Sequence, residues 1–196
     1  MTSGTRIPKA EITGAFGAVL KRFSRKRFGV VPEALEVMWH NRPVLKASMG
    51  LGQKAAKWDA CDQDLKSYSH MAIASLIGCS FCLDLGYFEA HNKGLDLDKA
   101  REIPRWRDST LFTPLERDVL EYAEAMSQTP PTVTDELSAR LLDQLGPPAL
   151  IELTAFAALT NQVTRANVAR GIEAEGFSAA CGLPPMAQPR GVPSRA

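Results

Sequence analysis

Long hydrophobic runs and cysteines are both scarce in this sequence. A membrane-spanning helix needs about 18 or more consecutive apolar residues, and the longest apolar stretches here, such as residues 155–159, are far shorter. The first residues, MTSGTRIPKAEIT, contain no apolar signal core, so we expect a cytoplasmic protein with no membrane partner. The 4 cysteines are too few for a disulfide scaffold in 196 residues. In a reducing cytoplasm, a close cysteine pair is redox-active or metal-binding rather than structural.

An excess of charge of one sign is also absent. The 23 basic and 22 acidic residues leave a formal net charge of +1. Domains that bind nucleic acid usually carry a clear basic excess, so we expect no nucleic-acid partner. The 45% of apolar residues supply a sufficient core, and the length indicates one domain with short appendages.

One local concentration of basic residues stands out against this balance. It follows an amphipathic pattern predicted to form a helix over residues 9–24, and it has two interpretations: a solvated helix end or a docking patch for an acidic partner. Its members are Lys21, Arg22, Arg25, Lys26 and Arg27.

The periodicity throughout the chain is helical, and no stretch shows sustained period-two alternation. The sequence therefore predicts an all-α fold of about eight helices. A capping box at residues 113–116 marks one helix start, and a long helix is expected from Ala149 to Glu175. We expect an N-terminal helical extension (1–60) packing on the core, a helical domain (61–182), and a proline-rich tail (183–196), extended or disordered.

The motif that carries chemistry is Gly78-Cys79-Ser80-Phe81-Cys82. Two cysteines three residues apart at the start of a helix face the same side, and the helix dipole favours a thiolate there. One sulfur can attack an oxidant while the other resolves the product. Two alternatives remain open: a zinc site, which would need convergence of Cys61, His70 and His91, and a pair of small buried apolar residues.

Residues 65–178 resemble the carboxymuconolactone decarboxylase and alkyl hydroperoxidase D (AhpD-like) superfamily. The matching segments are residues 74–84 (ASLIGCSFCLD), 94–96 (GLD), 104–106 (PRW), 111–117 (LFTPLER) and 152–154 (ELT), with Asn161, Arg165 and Asn167 on the last helix. The resemblance implies an all-α fold, usually as a homo-oligomer (dimer, trimer or hexamer). It also implies thiol-dependent peroxidase chemistry in members that keep the full site.

In those members the second cysteine attacks the peroxide and the first resolves, which transfers to Cys82 and Cys79. The resemblance also implies a proton relay formed by a glutamate twelve residues before the first cysteine and a histidine four after the second. This sequence departs from that pattern, because Ser67 and Gly86 occupy the two positions. Neither residue is an efficient general base.

Other residues are candidates for the missing functions. His70 lies one turn after Ser67 on a helix expected to pack beside the cysteine helix, and an imidazole is a base near neutral pH. Arg165 is a fixed positive charge that suits a thiolate or a carboxylate, or else a salt bridge in the core. Asn161 and Asn167 either share its cavity or link subunits.

The preferred hypothesis is an AhpD-like thiol oxidoreductase with catalytic Cys79, Cys82 and His70, and with Arg165 and Asn161 binding substrate. It needs no metal or cofactor; its partners are a peroxide or organic substrate and an external thiol reductant. One alternative is a non-redox decarboxylase-like enzyme acting on a small carboxylate. Another is a non-catalytic oligomeric binding protein that works through its basic N-terminal helix and proline-rich tail.

Overall fold

The computed structural model describes residues 4–187, and within that range all regular secondary structure is helical, with no β-strand. Eight α-helices of six or more residues are present there, followed by one short final helix, which confirms the all-α prediction. The helices are α1 (Gly14–Phe28), α2 (Glu33–Met38), α3 (Arg42–Ala55), α4 (Gln63–Ile77), α5 (Ser80–Lys93), α6 (Leu97–Glu102), α7 (Pro114–Ser127), α8 (Asp135–Arg170) and α9 (Phe177–Ala180). Two 3₁₀ helices cover Trp39–Asn41 and Ile103–Asp108.

Several helix ends differ from those expected from periodicity. Helix α1 begins at Gly14 and continues to Phe28, so the prediction of residues 9–24 was displaced. Helix α8 ends at Arg170 rather than Glu175, because Gly171 adopts a left-handed backbone with φ of 72°. A side chain at Gly171 would approach the carbonyl oxygen of Gly4 to 2.9 Å, so the chain crossing there also requires glycine.

The Pro147–Pro148 pair acts as a helix start. Gly146 breaks the helical backbone of α8 with φ of 73° and ψ of 167°, and Pro147 and Pro148 then open its second part without a loop. Proline is tolerated in a first turn because the amide it lacks has no helical partner there.

The capping box at Thr113 and Glu116 is present as predicted. Of the predicted tail 183–196, residues 183–187 have no regular structure, and the rest lies outside the described residues.

Helix α4 is the centre of the domain, since it packs against α5, α7 and α8. Its buried face carries Met71, Ala72 and Ile73 into the main hydrophobic cluster, which also includes Tyr87 and Leu120. This arrangement confirms that α4, which bears His70, lies beside α5, the helix that Cys79 caps and that contains Cys82.

The N-terminal segment packs on this domain at several points. It forms its own cluster around Ile12, Leu20, Trp39 and Leu45. Arg6 donates to the carbonyls of Val168 and Ala169 at the end of α8, at 2.8 and 2.9 Å. Among residues 4–187, no helix combines the length and the apolar character needed to span a lipid bilayer.

A buried ion pair joins α4 to α8. The Lys66 ammonium contacts the Glu152 carboxylate, with the two side chains only 2% and 8% exposed. Lys66 also donates to the carbonyl of Trp58 at 2.7 Å, and the amide of Ala60 donates to Glu152 at 2.8 Å. Burial opposes ionisation of Glu152, but the Lys66 contact and the amide hydrogen bonds outweigh it and hold its pKa below the ordinary value.

We predict that Lys66→Met lowers the free energy of unfolding by about 3–5 kcal/mol at pH 7, because it leaves a buried carboxylate without its cation. Denaturation in urea measures this, with Lys93→Met at an exposed position as the control. Because the folded-state pKa of Glu152 is depressed, the pair's stabilisation is lost as pH falls, and the deficit should shrink in acid. A loss below about 1 kcal/mol, the range of exposed pairs, would contradict the prediction.

Candidate active site

The two cysteines lie at the junction between α4 and α5. Gly78 ends α4 in a left-handed conformation with φ of 79°, and the amide of Cys79 donates back to the carbonyl of Ala74 at 2.9 Å. Cys79 is thereby the N-cap residue of α5, and Cys82 lies in its first turn. The two form a disulfide with their Cα atoms 5.3 Å apart.

Each sulfur faces one N–H donor. The amide of Cys82 donates to Cys79 Sγ at 3.2 Å, as expected for an N-cap acceptor. The side-chain amide of Asn167 on α8 donates to Cys82 Sγ at 3.4 Å. Both donors and the positive end of the α5 dipole favour negative charge on sulfur once the disulfide is reduced.

The cysteine pair is buried in an apolar cluster, with Cys79 1% and Cys82 2% exposed. The N-terminal segment contributes to this cluster through α2, which adds Ala34 and Val37, while α9 adds Phe177. Phe177 contacts the Phe81 and Phe88 rings at centroid distances of 5.9 and 6.1 Å. The disulfide is therefore covered, and the segment before residue 60 forms part of the cover.

His70 contacts the cysteine turn from α4. Its Nε2 lies 3.2 Å from the backbone carbonyl oxygen of Cys82. Burial lowers the pKa of His70 below the ordinary value, which the hydrogen bond to Cys82 only partly offsets. The imidazole is therefore neutral at pH 7. With the proton on Nε2 donated to Cys82, Nδ1 is left as the basic nitrogen.

Gly86 provides the space that His70 occupies. A Cβ atom at position 86 would lie 3.0 Å from His70 Cδ2 and 2.9 Å from Met71 Cγ. Both distances are too short for a side chain to be added without movement. The glycine at this position thus has a specific steric role: it lets the α4 imidazole approach α5. Ser67, one turn earlier on α4, donates to the carbonyl of Gln63 at 2.8 Å.

A cavity of about 530 Å³ opens beside His70, between α3, α4 and α8. A smaller recess of about 130 Å³ shares His70 and Ser67 and extends along α5 past Leu85 and Gly86. The larger cavity has an apolar wall formed by Ala55, Phe156, Leu159 and Val163, and polar groups at Gln63, Lys66, Lys93 and Thr160. Cavities of this size suit small organic molecules.

Arg165 and Asn161 lie apart from the cysteine pair. Arg165 is exposed and donates to the carbonyl of Ser127, and Asn161 donates to the hydroxyl of Ser127 at 3.0 Å. At 100° per residue, Arg165 is about 200° around α8 from Asn167, which contacts Cys82. The two residues thus join α8 to the end of α7, and their assignment as substrate ligands stays a prediction.

The remaining cysteines differ from the pair. Cys61 is buried, and burial raises the pKa of its thiol to about 11, so it is a poor nucleophile. Cys181 is exposed beyond α9.

Within residues 4–187, no group of three or more His, Cys, Asp or Glu side chains is arranged to hold a metal ion.

Sequence reasoning missed two features of the site. Asn167 was only one of several polar candidates on the last helix, and the structure selects it as the donor to Cys82. In the sequence, Gly86 indicated the loss of the relay histidine, whereas in the structure its missing side chain leaves the space that the His70 ring occupies. The only sequence signal for this exchange was the coincidence of a glycine on one helix with a histidine on the preceding one.

The fold and the site together define an all-α protein with a two-cysteine centre at a helix start, and comparison with known proteins agrees. The model of the carboxymuconolactone decarboxylase family matches residues 42–125. YnjA of Escherichia coli strain K12 is 36% identical over 162 residues, covering 82% of this chain and 87% of YnjA. The chain belongs to the carboxymuconolactone decarboxylase family.

Two solved structures share the fold at low sequence identity. One is a cysteine-to-alanine variant of the debrominase Bmp8 in complex with 2,3,4-tribromopyrrole, with a TM-score of 0.76 and 20% identity, covering 90% of this chain and 96% of that one. The other is an AhpD-core, peroxidase-related protein from Ralstonia eutropha, with a TM-score of 0.75 and 14% identity, at 90% and 96% coverage.

The steric role of Gly86 makes a direct prediction. Gly86→Ala should displace the His70 ring from its position against α5. The pKa of His70 should then rise toward the ordinary value of about 6.5, because a less buried imidazole is protonated more easily. Titration of the ring signals by NMR measures this, and the chain has only 3 histidines.

Gly50→Ala is the matched control, since a Cβ there meets open space on helix α3. It should leave the His70 titration unchanged. An unchanged His70 pKa in Gly86→Ala would show that the ring does not depend on this glycine.

Proposed function

We propose that this protein is a thiol oxidoreductase that reduces a small peroxide through Cys79 and Cys82. The observation that carries the proposal is the Cys79–Cys82 disulfide at the N-terminus of α5, with an N–H donor on each sulfur. Membership of the family and the likeness to peroxidase-related structures support it.

In the first step, the Cys82 thiolate attacks one oxygen of the peroxide. The O–O bond breaks, Cys82 becomes a sulfenic acid, and the leaving alkoxide or hydroxide takes a proton to become an alcohol or water. The Asn167 amide stabilises the thiolate that attacks. His70, whose Nε2 contacts the Cys82 carbonyl at 3.2 Å, is the proposed base for the thiol proton, with Nδ1 as its free nitrogen.

In the second step, Cys79 attacks the Cys82 sulfenic acid, and the disulfide forms with release of water. An external dithiol then reduces this disulfide and is itself oxidised to a disulfide. During that exchange Cys79 leaves as a thiolate, which the backbone amide of Cys82 and the helix dipole stabilise. The cycle thus uses one donor for the attacking sulfur and one for the leaving sulfur.

We predict that Cys82→Ser abolishes peroxide consumption, while Cys79→Ser allows one turnover that stops at the sulfenic acid. Stopped-flow measurement of peroxide loss, with mass spectrometry of the cysteine peptides, distinguishes the two variants. Cys61→Ser is the control, because the pKa of that buried thiol is raised, and it should retain activity. Unchanged peroxide consumption in Cys82→Ser would overturn the proposed function.

A second candidate function uses the same cysteines on a different oxidant. The apolar wall of the cavity beside His70 and the likeness to the debrominase favour an organobromine substrate. The balanced reaction converts the carbon–bromine bond to carbon–hydrogen, releases bromide and a proton, and oxidises the two thiols to the disulfide.

We predict that, if this second function holds, reduced protein given 2,3,4-tribromopyrrole releases one bromide for each Cys79–Cys82 disulfide formed. Ion chromatography of bromide and mass spectrometry of the disulfide measure the two products. Cys82→Ser should release none, with Cys61→Ser again as the active control. Rapid disulfide formation with hydrogen peroxide but no bromide release would favour the peroxidase.

A further inference from the structure

One exposed flank of α1 carries an apolar stripe that the catalytic proposal does not use. Phe16, Val19 and Phe23 are 40%, 67% and 55% exposed. At 100° per residue they fall within an arc of about 60°. The adjoining side of the helix packs on the protein through buried Gly17, Leu20 and Ser24, which lie about 40° to 100° around the helix from Phe16. Three large exposed side chains in one row are unlike the isolated exposed apolar residues normal on a surface.

This stripe has a basic border. Arg22 and Lys26 lie on α1 beside it, and Lys46 of α3 places its ammonium 4.9 Å from the Phe16 ring centroid. Helix α1 contains no acidic residue. Among the described residues, no ion pair within 4.0 Å involves Arg22, Arg25 or Lys26, whereas Arg27 is paired with Glu89. The local positive charge contrasts with a net charge of +1 for the whole chain.

We propose that this stripe docks the protein on an anionic lipid surface, with Phe16, Val19 and Phe23 entering the headgroup boundary and the basic border contacting phosphate groups. Apolar side chains beside lysine and arginine are the pattern by which helices lie in the membrane interface. The expectation of no membrane partner rested on the lack of a spanning segment, and an interfacial helix needs none. This proposal is independent of the redox chemistry.

Charge and shape favour a lipid surface over a second copy of this chain or a different protein partner. A second copy of α1 placed against the stripe would bring Arg22 and Lys26 close to the same residues of its partner, and like charges there are repulsive. Protein partners that bind an amphipathic helix offer it a groove, whereas a lipid surface accepts the protruding ridge without one. Each basic residue near an anionic surface strengthens binding about fivefold.

The test is sedimentation of the full-length protein with phospholipid vesicles. We expect binding to vesicles of phosphatidylcholine with about 30 mol % phosphatidylserine and little binding to phosphatidylcholine alone. Raising NaCl from about 0.05 to 0.5 M should release the protein. Absence of binding to the anionic vesicles at low salt would overturn the proposal.

Paired variants separate the two contributions. Val19→Ser with Phe23→Ser should weaken binding at least about tenfold by removing apolar area, and Arg22→Glu with Lys26→Glu should weaken it at least as much. Leu142→Ser is the control, because Leu142 is 46% exposed on α8, outside the stripe, and it should bind normally.

Circular dichroism checks that each variant is folded, and light scattering gives its oligomeric mass. Two further results would overturn the proposal. One is full binding by the Val19→Ser, Phe23→Ser variant, which would leave only electrostatic adsorption. The other is a change of oligomeric mass in that variant, which would identify the stripe as an interface between copies of this chain.

Discussion

The turn at Gly78 is the constraint on which the site depends. Its left-handed backbone ends α4 and lets α5 begin two residues later. Only because the chain reverses this tightly does Cys79 become an N-cap whose sulfur accepts the Cys82 amide. The same turn brings the helix before it and the helix after it side by side, so that His70 reaches the Cys82 carbonyl. A residue with a Cβ at position 78 would be strained in this conformation.

The site combines a buried disulfide with polar donors to both sulfurs. The sulfurs lie within aromatic and aliphatic side chains, where burial alone disfavours a thiolate. Donors from Cys82 and Asn167 oppose that penalty. His70 contacts the cysteine turn through the Cys82 carbonyl and also lines the cavity beside it. Helices α2 and α9 cover the cysteine pair itself.

Family membership does not by itself settle which groups move protons. The two relay positions implied by the resemblance hold Ser67 and Gly86, and the hydroxyl of Ser67 is occupied by its own helix. The histidine instead comes from α4, and the glycine on α5 makes room for it. The contact of His70 with the cysteine turn becomes apparent only when α4 and α5 are considered together.

The sequence by itself determined the helical class, the capping box at Thr113 and the start of a helix at the two cysteines, because each depends on residues a few positions apart. It misjudged the end of α8, because Gly171 and Gly176 are both local stop signals and only the structure shows that the helix ends at Gly171. Only the tertiary structure decided that Asn167 meets Cys82 while Arg165 does not, and that Lys66 pairs with Glu152. Those pairings join side chains about 40 to 90 residues apart along the chain, and helix packing, which local periodicity does not specify, sets which faces meet.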